Sequence, residues 1–312
     1  MSLYNDYLTD DIMFLALTGC TQKEFTALVS PFETAFLARM QTHRLDGKLR
    51  KHRGYTEYAN SPLPTSTDKL FFILCYYKTY PLQAVQAALF KMSQPQVNQW
   101  LHCLGPLLEK TLTALGEMPA RTMADIEFDA PDLLYFHDGT ECPIQRPQDS
   151  ATQKEYYSGK KKSHTIKYNC LSNMECKILF LSPLTVGKKH DKKLADECHY
   201  QLPSGTRLVQ DTGFQGFTVP GVHILQPKKK PRGKELSVND KYGNQWLGGL
   251  RIRVEHAIGG VKRYRIAKDR LRNWKTSFRE SVFAICCGLH NLRLNSRPWH
   301  YPPLQLHLFV EF

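Results

Sequence analysis

Three carboxylates of this 312-residue chain stand where acids can do chemistry. Asp138 follows the apolar run Leu133-Leu134-Tyr135-Phe136-His137 and leads into Gly139-Thr140-Glu141. Asp211 follows Arg207-Leu208-Val209-Gln210 and leads into Thr212-Gly213-Phe214-Gln215-Gly216. Both read as a strand ending in a turn, and strand ends are where α/β sheets build sites. Glu255 belongs to a different pattern. Leu247, Leu250, Val254, Ile258 and Val261 recur at steps of three and four, so they form the apolar stripe of a helix. Arg251, Glu255 and Lys262 share a neighbouring stripe of that helix. Three carboxylates brought to one point repel one another unless cations fill the space. Hard oxygen donors select Mg2+, with Mn2+ as a substitute. Two such ions about 3.5–4 Å apart clamp a phosphoryl group for in-line displacement. Arg251 and Lys262 are then placed to hold the scissile or a neighbouring phosphate.

Each of these residues also has a plainer account. Arg251, Glu255 and Lys262 read equally as a surface ion-pair ladder. Either aspartate alone reads as a turn or helix-cap residue. Asp191, in a lysine-rich stretch, reads as a cap. Glu141 is a spare acid close to Asp138, and His137 and His256 read as packing or supporting residues. Gly259-Gly260 costs about 1 kcal/mol per residue inside a helix relative to alanine, which is tolerable where backbone or DNA must come close.

The elements that position these groups divide the chain in two. Residues 1–60 form a helical N-terminal region of short amphipathic pieces, with Ser30-Pro31 starting a new one and a local basic run from Arg39 to Arg53. Residues 61–120 continue as helices. Ser66 or Thr67 caps one that carries Leu70, Phe71, Leu74 and Tyr77. Pro81 opens a short one with Val85, Ala88 and Leu89. After a break at Lys91-Met92, Ser93 caps a third with Pro95 in its first turn. Two short helices across so tight a break fit a helix-turn-helix, with Gln94, Gln96, Asn98 and Gln99 as the exposed candidates for DNA contact. A plain three-helix bundle fits as well. Gly105-Pro106 is expected to end that helix, with another short one to Leu115, and 116–132 is expected to be a linker.

From 130 to 297 the pattern turns to strands and helices in alternation. Thr165–Leu171 and Lys177–Leu181 are β-rich, a lysine-rich hairpin or loop lies between Pro147 and His164, and a helix starts at His190-Asp191. Val222–Leu225 is a further strand, and Ser277-Phe278-Arg279-Glu280 opens a last helix as a capping box. That order suits an α/β domain with a mixed sheet and helices on both faces. Residues 298–312 read as a proline-rich tail, and no internal repeat is present.

Composition narrows the function classes. Hydrophobic content of 42% supports a real core, and no apolar run approaches a membrane span. Met1–Asp11 lacks a signal-peptide pattern, so no membrane role is expected and a cytoplasmic place is, associated with the nucleoid in a prokaryotic cell. Nine scattered cysteines, none in a C-x-x-C pair, argue against a disulfide framework and a thiolate zinc site. The formal charge of +13 is uneven. Residues 1–130 hold 12 Lys+Arg and 13 Asp+Glu, whereas 131–312 hold 30 and 16. The excess therefore lies with the carboxylates and points to a polyanionic partner, nucleic acid above all.

These segments together resemble a known family. His137-Asp138-Gly139-Thr140-Glu141, Asp211-Thr212-Gly213-Phe214-Gln215-Gly216 and Arg251-x-x-x-Glu255-x-x-x-x-x-x-Lys262 are similar to the three blocks of DDE insertion-sequence transposases, closest to the Harbinger-type branch. Lys160-Lys161-Lys162-Ser163-His164 and Pro227-Lys228-Lys229 fit the same branch. The resemblance spans about 133–294, with 66–115 resembling the helix-turn-helix that often precedes it. It implies a ribonuclease-H-like fold on which Asp138, Asp211 and Glu255 are catalytic metal ligands for Mg2+. It implies DNA contacts from Arg251 and Lys262, with Lys160, Lys161, Lys162, Lys228, Lys229 and Lys230 as further basic candidates. Double-stranded DNA, both element ends and target, is the implied partner, bound by a homo-oligomer. One position departs from the pattern. The third block often begins with tyrosine three residues before its arginine, and here that position is Gly248. Two rival readings remain at this stage: a DNA-binding protein without catalysis, and a ribonuclease-H-like nuclease that cuts without joining.

Overall fold

The computed structural model describes residues 3–51, 54–57, 60–128 and 134–301. His52 and Arg53 of the basic run, Pro131 and Leu133 between the two halves, and residues 302–312 of the tail lie outside the described residues.

The first half is all helix: α1 Leu3–Tyr7, α2 Asp11–Thr18, α3 Gln22–Thr42, α4 Ser66–Thr79, α5 Gln83–Leu89 and α6 Gln94–Ala114. Thr21 and Glu24 close a capping box at the start of α3. That helix runs straight through Pro31, contrary to the expected new start there. The proline forfeits one backbone hydrogen bond, but Leu28, Phe32 and Phe36 are fully buried on the helix's inner face and hold it through the gap. Thr65 caps α4, one residue ahead of the expected Ser66 or Thr67, because Asp68 at the third helical position completes a capping box with it. Helix α5 buries Gln86 and Ala87 rather than its larger apolar residues. Val85 and Leu89 are exposed, and the helix docks through Gln86, whose Nε2 donates to the Phe72 carbonyl at 3.1 Å. Ser93 caps α6 as expected, with Gln96 as its box partner. Gly105-Pro106 does not end α6, which continues to Ala114. Pro106 is exposed, so the missing donor faces solvent, and Gly105 lets the helix pass close to Tyr77.

The second half is a mixed seven-stranded sheet: β1 Leu134–Pro143, β2 Tyr157–Ser158, β3 Ser163–Ser172, β4 Ile178–Leu181, β5 Thr185–Val186, β6 Arg207–Gln210 and β7 His223–Leu225. The order β2-β3-β1-β6-β7 puts β1 in the middle, antiparallel to β3 and parallel to β6, with β4 and β5 also paired to β3. The helices between and after the strands are α7 Ser150–Tyr156, α8 Asp191–Glu197, α9 Val238–Val261, α10 Arg265–Lys268 and α11 Thr276–Ser296. Helix α7 occupies part of the stretch expected as hairpin or loop. Alternation along β1 assigns the two faces. Tyr135 packs on the α8 side with Ala195, Tyr200 and Phe214. Leu134 and Phe136 pack on the α9 side with Leu247, Leu250 and Val254. This is a mixed sheet with helices on both faces, of the ribonuclease-H-like kind.

The two halves share a core. Leu104, Leu108 and Leu112 of α6 belong to the same buried cluster as Cys142, Ile166 and Tyr168 of the sheet and Phe283 and Leu289 of α11. Part of the expected linker is structural too. Ala120 N–H donates to the Leu179 carbonyl at 2.8 Å, and Leu181 N–H returns to the Ala120 carbonyl at 3.0 Å. The start of α11 corrects one more expectation. Its N-cap is Lys275 with no side-chain cap, because the helix begins at Thr276 and leaves Ser277 inside the first turn.

Candidate active site

Strand β1 outruns its parallel neighbour. Pairing with β6 covers Leu134–His137 against Arg207–Gln210 and stops, while β1 continues along β3 to Pro143. Asp138 is therefore inside a strand rather than at its end, which corrects the expectation. It is also the first residue of β1 beyond the parallel pair, and Asp211 is the first residue beyond β6. The last paired residues, His137 and Gln210, are both fully buried. The His137 ring lies against Phe214 and Tyr200 at centroid distances of 4.0 and 4.6 Å, and burial pushes its pKa down to about 3. It is a neutral packing residue beneath the aspartates.

Arg251 of α9 reaches across to both acids. Its Nη2 is 3.6 Å from Asp138 Oδ2 and its Nη1 is 3.7 Å from Asp211 Oδ1. Asp138 Oδ1 accepts from Gly139 N–H at 2.8 Å. Burial, reinforced by the negative Asp211, pushes the Asp138 carboxyl up to about 6 against the opposing pull of Arg251, the Gly139 amide and Lys160. Asp211 Oδ1 accepts from Thr212 N–H at 2.7 Å and caps the single 3-10 turn Thr212–Phe214. The cap reading thus describes part of what Asp211 does. Its other partner is the guanidinium.

Glu255 lies one helical turn beyond Arg251 and is exposed. Among the described residues it has no ion pair, and no group of three His, Cys, Asp or Glu side chains is assembled tightly enough to hold a metal ion. The expected Arg-Glu-Lys ladder does not form: Arg251 turns to the aspartates, and Lys262 Nζ donates to the Glu141 carbonyl at 3.1 Å. The donor chemistry nonetheless fits a hard divalent cation. Two carboxylates, hard oxygen donors, meet at one guanidinium, and burial holds the proton on Asp138 to about pH 6, with the neighbouring Asp211 charge acting in the same direction.

The other predicted residues distribute around this centre. Lys160, Lys161 and Lys162 are exposed in the turn between β2 and β3, and Lys160 is near enough to act on Asp138. Lys228, Lys229 and Lys230 are exposed beyond β7. Lys228 pairs with Asp240 at 2.6 Å, and Lys230 pairs with Glu235. Thr212, Gln215, Gln226 and Lys228 line a cleft of about 390 Å³ there, adjoining Asp211. In the helical half, Gln96 is committed to its cap and Gln99 is exposed. Asn98 lines a second cleft of about 460 Å³ with Arg272, Trp274 and Lys275 from the far half. His256 donates to or accepts from Tyr301 at 2.7 Å and stacks on Trp299. What comes close at Gly260 is His290 of α11, since a Cβ there would lie 2.3 Å from its ring.

Sequence reasoning missed the far side of β1. Lys167 of β3 faces Glu141 in register, 3.7 Å away, and binds Asp191 Oδ1 at 3.0 Å. Asp191 is the first residue of α8 and makes no cap there; His190 is the N-cap. The residue that looked like a cap is turned toward the sheet. Strand register was the available signal, because an acid and a lysine on directly paired strands must meet.

Residues 137–291, about half of the chain, match the family described as DDE superfamily endonuclease, and residues 61–114 match the helix-turn-helix of DDE superfamily endonuclease. The chain is 31% identical over 173 residues to the probable transposase for insertion sequence element IS702 of Microchaete diplosiphon. That alignment takes in 54% of this chain and 60% of the relative, so the chain spans less than two thirds of the relative's length. No solved structure matches. Matched segments, sheet order and the acids at the end of the β1–β6 pair agree: the chain belongs to the DDE superfamily of endonucleases, with that superfamily's helix-turn-helix ahead of the catalytic segment.

Proposed function

We propose that the protein is a transposase that binds the ends of its own element, cuts the phosphodiester backbone and joins the 3′ ends to target DNA. The observation that carries this reading is the meeting of Asp138 and Asp211 on Arg251, within the segment matched to the endonuclease family. Asp138, Asp211 and Glu255 hold Mg2+, or Mn2+ in its place, and two ions suit the reaction best. When bound, such ions supply a Lewis acid and lower the pKa of an attacking water or 3′-hydroxyl. Asp138 must give up its proton to serve as a ligand, so binding of the ion is coupled to proton release and strengthens as pH rises toward and past about 6. Arg251, its charge no longer needed between the aspartates, is left to face a phosphate. Glu255 is on the same helix one turn on, in solvent, so it reaches the site only as the ion or DNA is bound.

The basic surface supports double-stranded DNA as the partner. Lys160 acts on Asp138, Lys228 and Lys229 line the cleft next to Asp211, and Gln99 of α6 is exposed for a base or backbone contact. Assembly as a homo-oligomer on paired element ends, the Harbinger-type placement and nucleoid association belong to the same reading.

Joining is tested by offering the protein a pre-cut 3′ element end and a supercoiled plasmid in Mg2+. Joined product is expected. Asp138→Ala, Asp211→Ala and Glu255→Ala should each abolish cutting and joining while leaving binding of the end intact. Wild-type-like cutting by any one of them removes that residue from the site. Cuts without joined product leave a nuclease, and binding without cuts leaves a DNA-binding protein.

A further inference from the structure

We infer that Asp191, anchored by Lys167, is a positioning residue of the cleavage site: it brackets the two segments that carry Asp138 and Asp211 from the opposite face of the sheet. This inference rests on the metal-dependent reading given above.

Alternation along β1 sends Asp138 to the α9 face and Gly139 to the α8 face. Gly139 has no side chain, so the α8 face is open at that residue. The Asp191 carboxylate fills the opening. A Cβ at Gly139 would lie 3.0 Å from Asp191 Oδ1, and a Cβ at Gly213 would lie 3.3 Å from Asp191 Oδ2. One oxygen thus rests against the residue after Asp138 and the other against the second residue after Asp211. Neither glycine has a positive φ. Space, not backbone conformation, is what these positions require.

The carboxylate is held from below. Lys167 Nζ is 3.0 Å from Asp191 Oδ1, 3.7 Å from Glu141 Oε1 and 2.8 Å from the Lys189 carbonyl. Glu141 Oε2 is fixed by the Thr165 hydroxyl at 2.6 Å. Asn169 Nδ2 donates to the Asp191 carbonyl at 3.1 Å, which fixes the first turn of α8 over the strand. The same amide's Oδ1 is fully buried, lies 3.4 Å from where a Gly139 Cβ would be, and accepts no hydrogen bond among the described residues. Lys167 and Glu141 have side chains only 8% and 6% exposed, yet Asp191 keeps 20%. The chain of charges runs from the interior and opens to solvent at Asp191, between the two glycines.

Two effects on a bound cation follow. The segments bearing the ligands cannot move toward α8 without displacing a carboxylate anchored by a buried ammonium. A further negative charge is also held close behind them. Loss of such supporting groups costs metal affinity about 10–100-fold in known sites.

The test is direct binding of Mn2+ to the full chain, read by electron paramagnetic resonance in the absence of DNA. Asp191→Asn keeps the shape and removes the charge. It should weaken Mn2+ binding about 10-fold, beyond what any fall in thermal midpoint from the lost Lys167 pair accounts for, with unchanged binding to element-end DNA. Gly139→Ala, which pushes Asp191 aside without touching its charge, should weaken Mn2+ in the same direction. Asp138→Asn serves as the reference and should abolish binding, leaving the free-ion spectrum undiminished. Equal Mn2+ affinity in wild type and Asp191→Asn, with the reference still abolished, overturns the inference and leaves the site intact. A loss of affinity that merely tracks a lowered thermal midpoint in both variants makes Asp191 structural and overturns it too. Binding that survives Asp138→Asn refutes the site itself, and the inference falls with it.

Discussion

Asp138 is predicted to cost the protein stability, and the cost has a pH signature. Its carboxyl titrates near 6 in the fold against an ordinary value of 3.8, chiefly because burial disfavours the charge. At neutral pH that difference corresponds to about 3 kcal/mol of destabilisation as an upper figure. The Arg251 contact is already included in it. The sign follows from proton counts. Between pH 3.8 and about 6 the folded state holds the proton that the unfolded state has released, so stability falls as pH rises through that window. Asp138→Asn removes the charge at nearly constant shape. Without divalent ions, the variant should be more stable than wild type at pH 8 by about 1–3 kcal/mol, a rise of several degrees in thermal midpoint. At pH 4.5 the difference should shrink to about a third of that, because the folded carboxyl is then protonated while the unfolded one is still mostly ionised. Adding Mn2+ at pH 8 should raise the wild-type midpoint and leave the variant where it was. The assay is thermal unfolding at the two pH values with chelator and with Mn2+. A variant less stable than wild type by the same margin at both pH values would refute the reasoning, since Asp138 would then be a net stabilising partner of Arg251.

Three further outcomes are expected. Gly260→Ala should destabilise by about 1–3 kcal/mol through overpacking against His290, whereas Gly259→Ala, open on its outer side, should stabilise by up to about 1 kcal/mol; chemical denaturation of the pair measures both, and equal effects would sink the close-approach argument. Replacing Lys160, Lys161 and Lys162 together by alanine should reduce the salt slope of DNA binding by about one for each phosphate no longer neutralised, read from affinities across a salt series. Lys262→Ala should lower stability by about 1 kcal/mol and leave that slope alone, because its ammonium holds a β1 carbonyl; a flattened slope would return Lys262 to the phosphate.

Much of the arrangement was legible from residue order. The apolar runs ahead of Asp138 and Asp211 located two strands, because a buried strand next to a glycine turn has few other readings, but that they lie side by side in parallel is visible only in the fold. The heptad-like stripe from Leu247 to Val261 located α9 and the side that packs on the sheet. What failed did so for local reasons. Seven residues of α5 are too few for periodicity to choose a face, and a glutamine, Gln86, took the buried place by bonding a neighbouring carbonyl. Pro31 and Pro106 lie inside long helices since tertiary packing outweighs one absent hydrogen bond. Arg251 and Glu255 share a helix side but not a partner, and spacing cannot tell which way an arginine turns. Asp191 wore the pattern of a helix start, and only the docking of α8 on the sheet reveals the lysine that claims it.

The common interior of the two halves has a mechanical consequence. Helix α6 and the strand bearing Asp138 are packed into one buried core through α11. If the protein acts on DNA as proposed, a stretch held at the first stands at a set distance from the acids of the second. Reader and blade then work as a fixed calliper, and the bending needed to bring a distant bond into place must come from the duplex or from another copy of the chain.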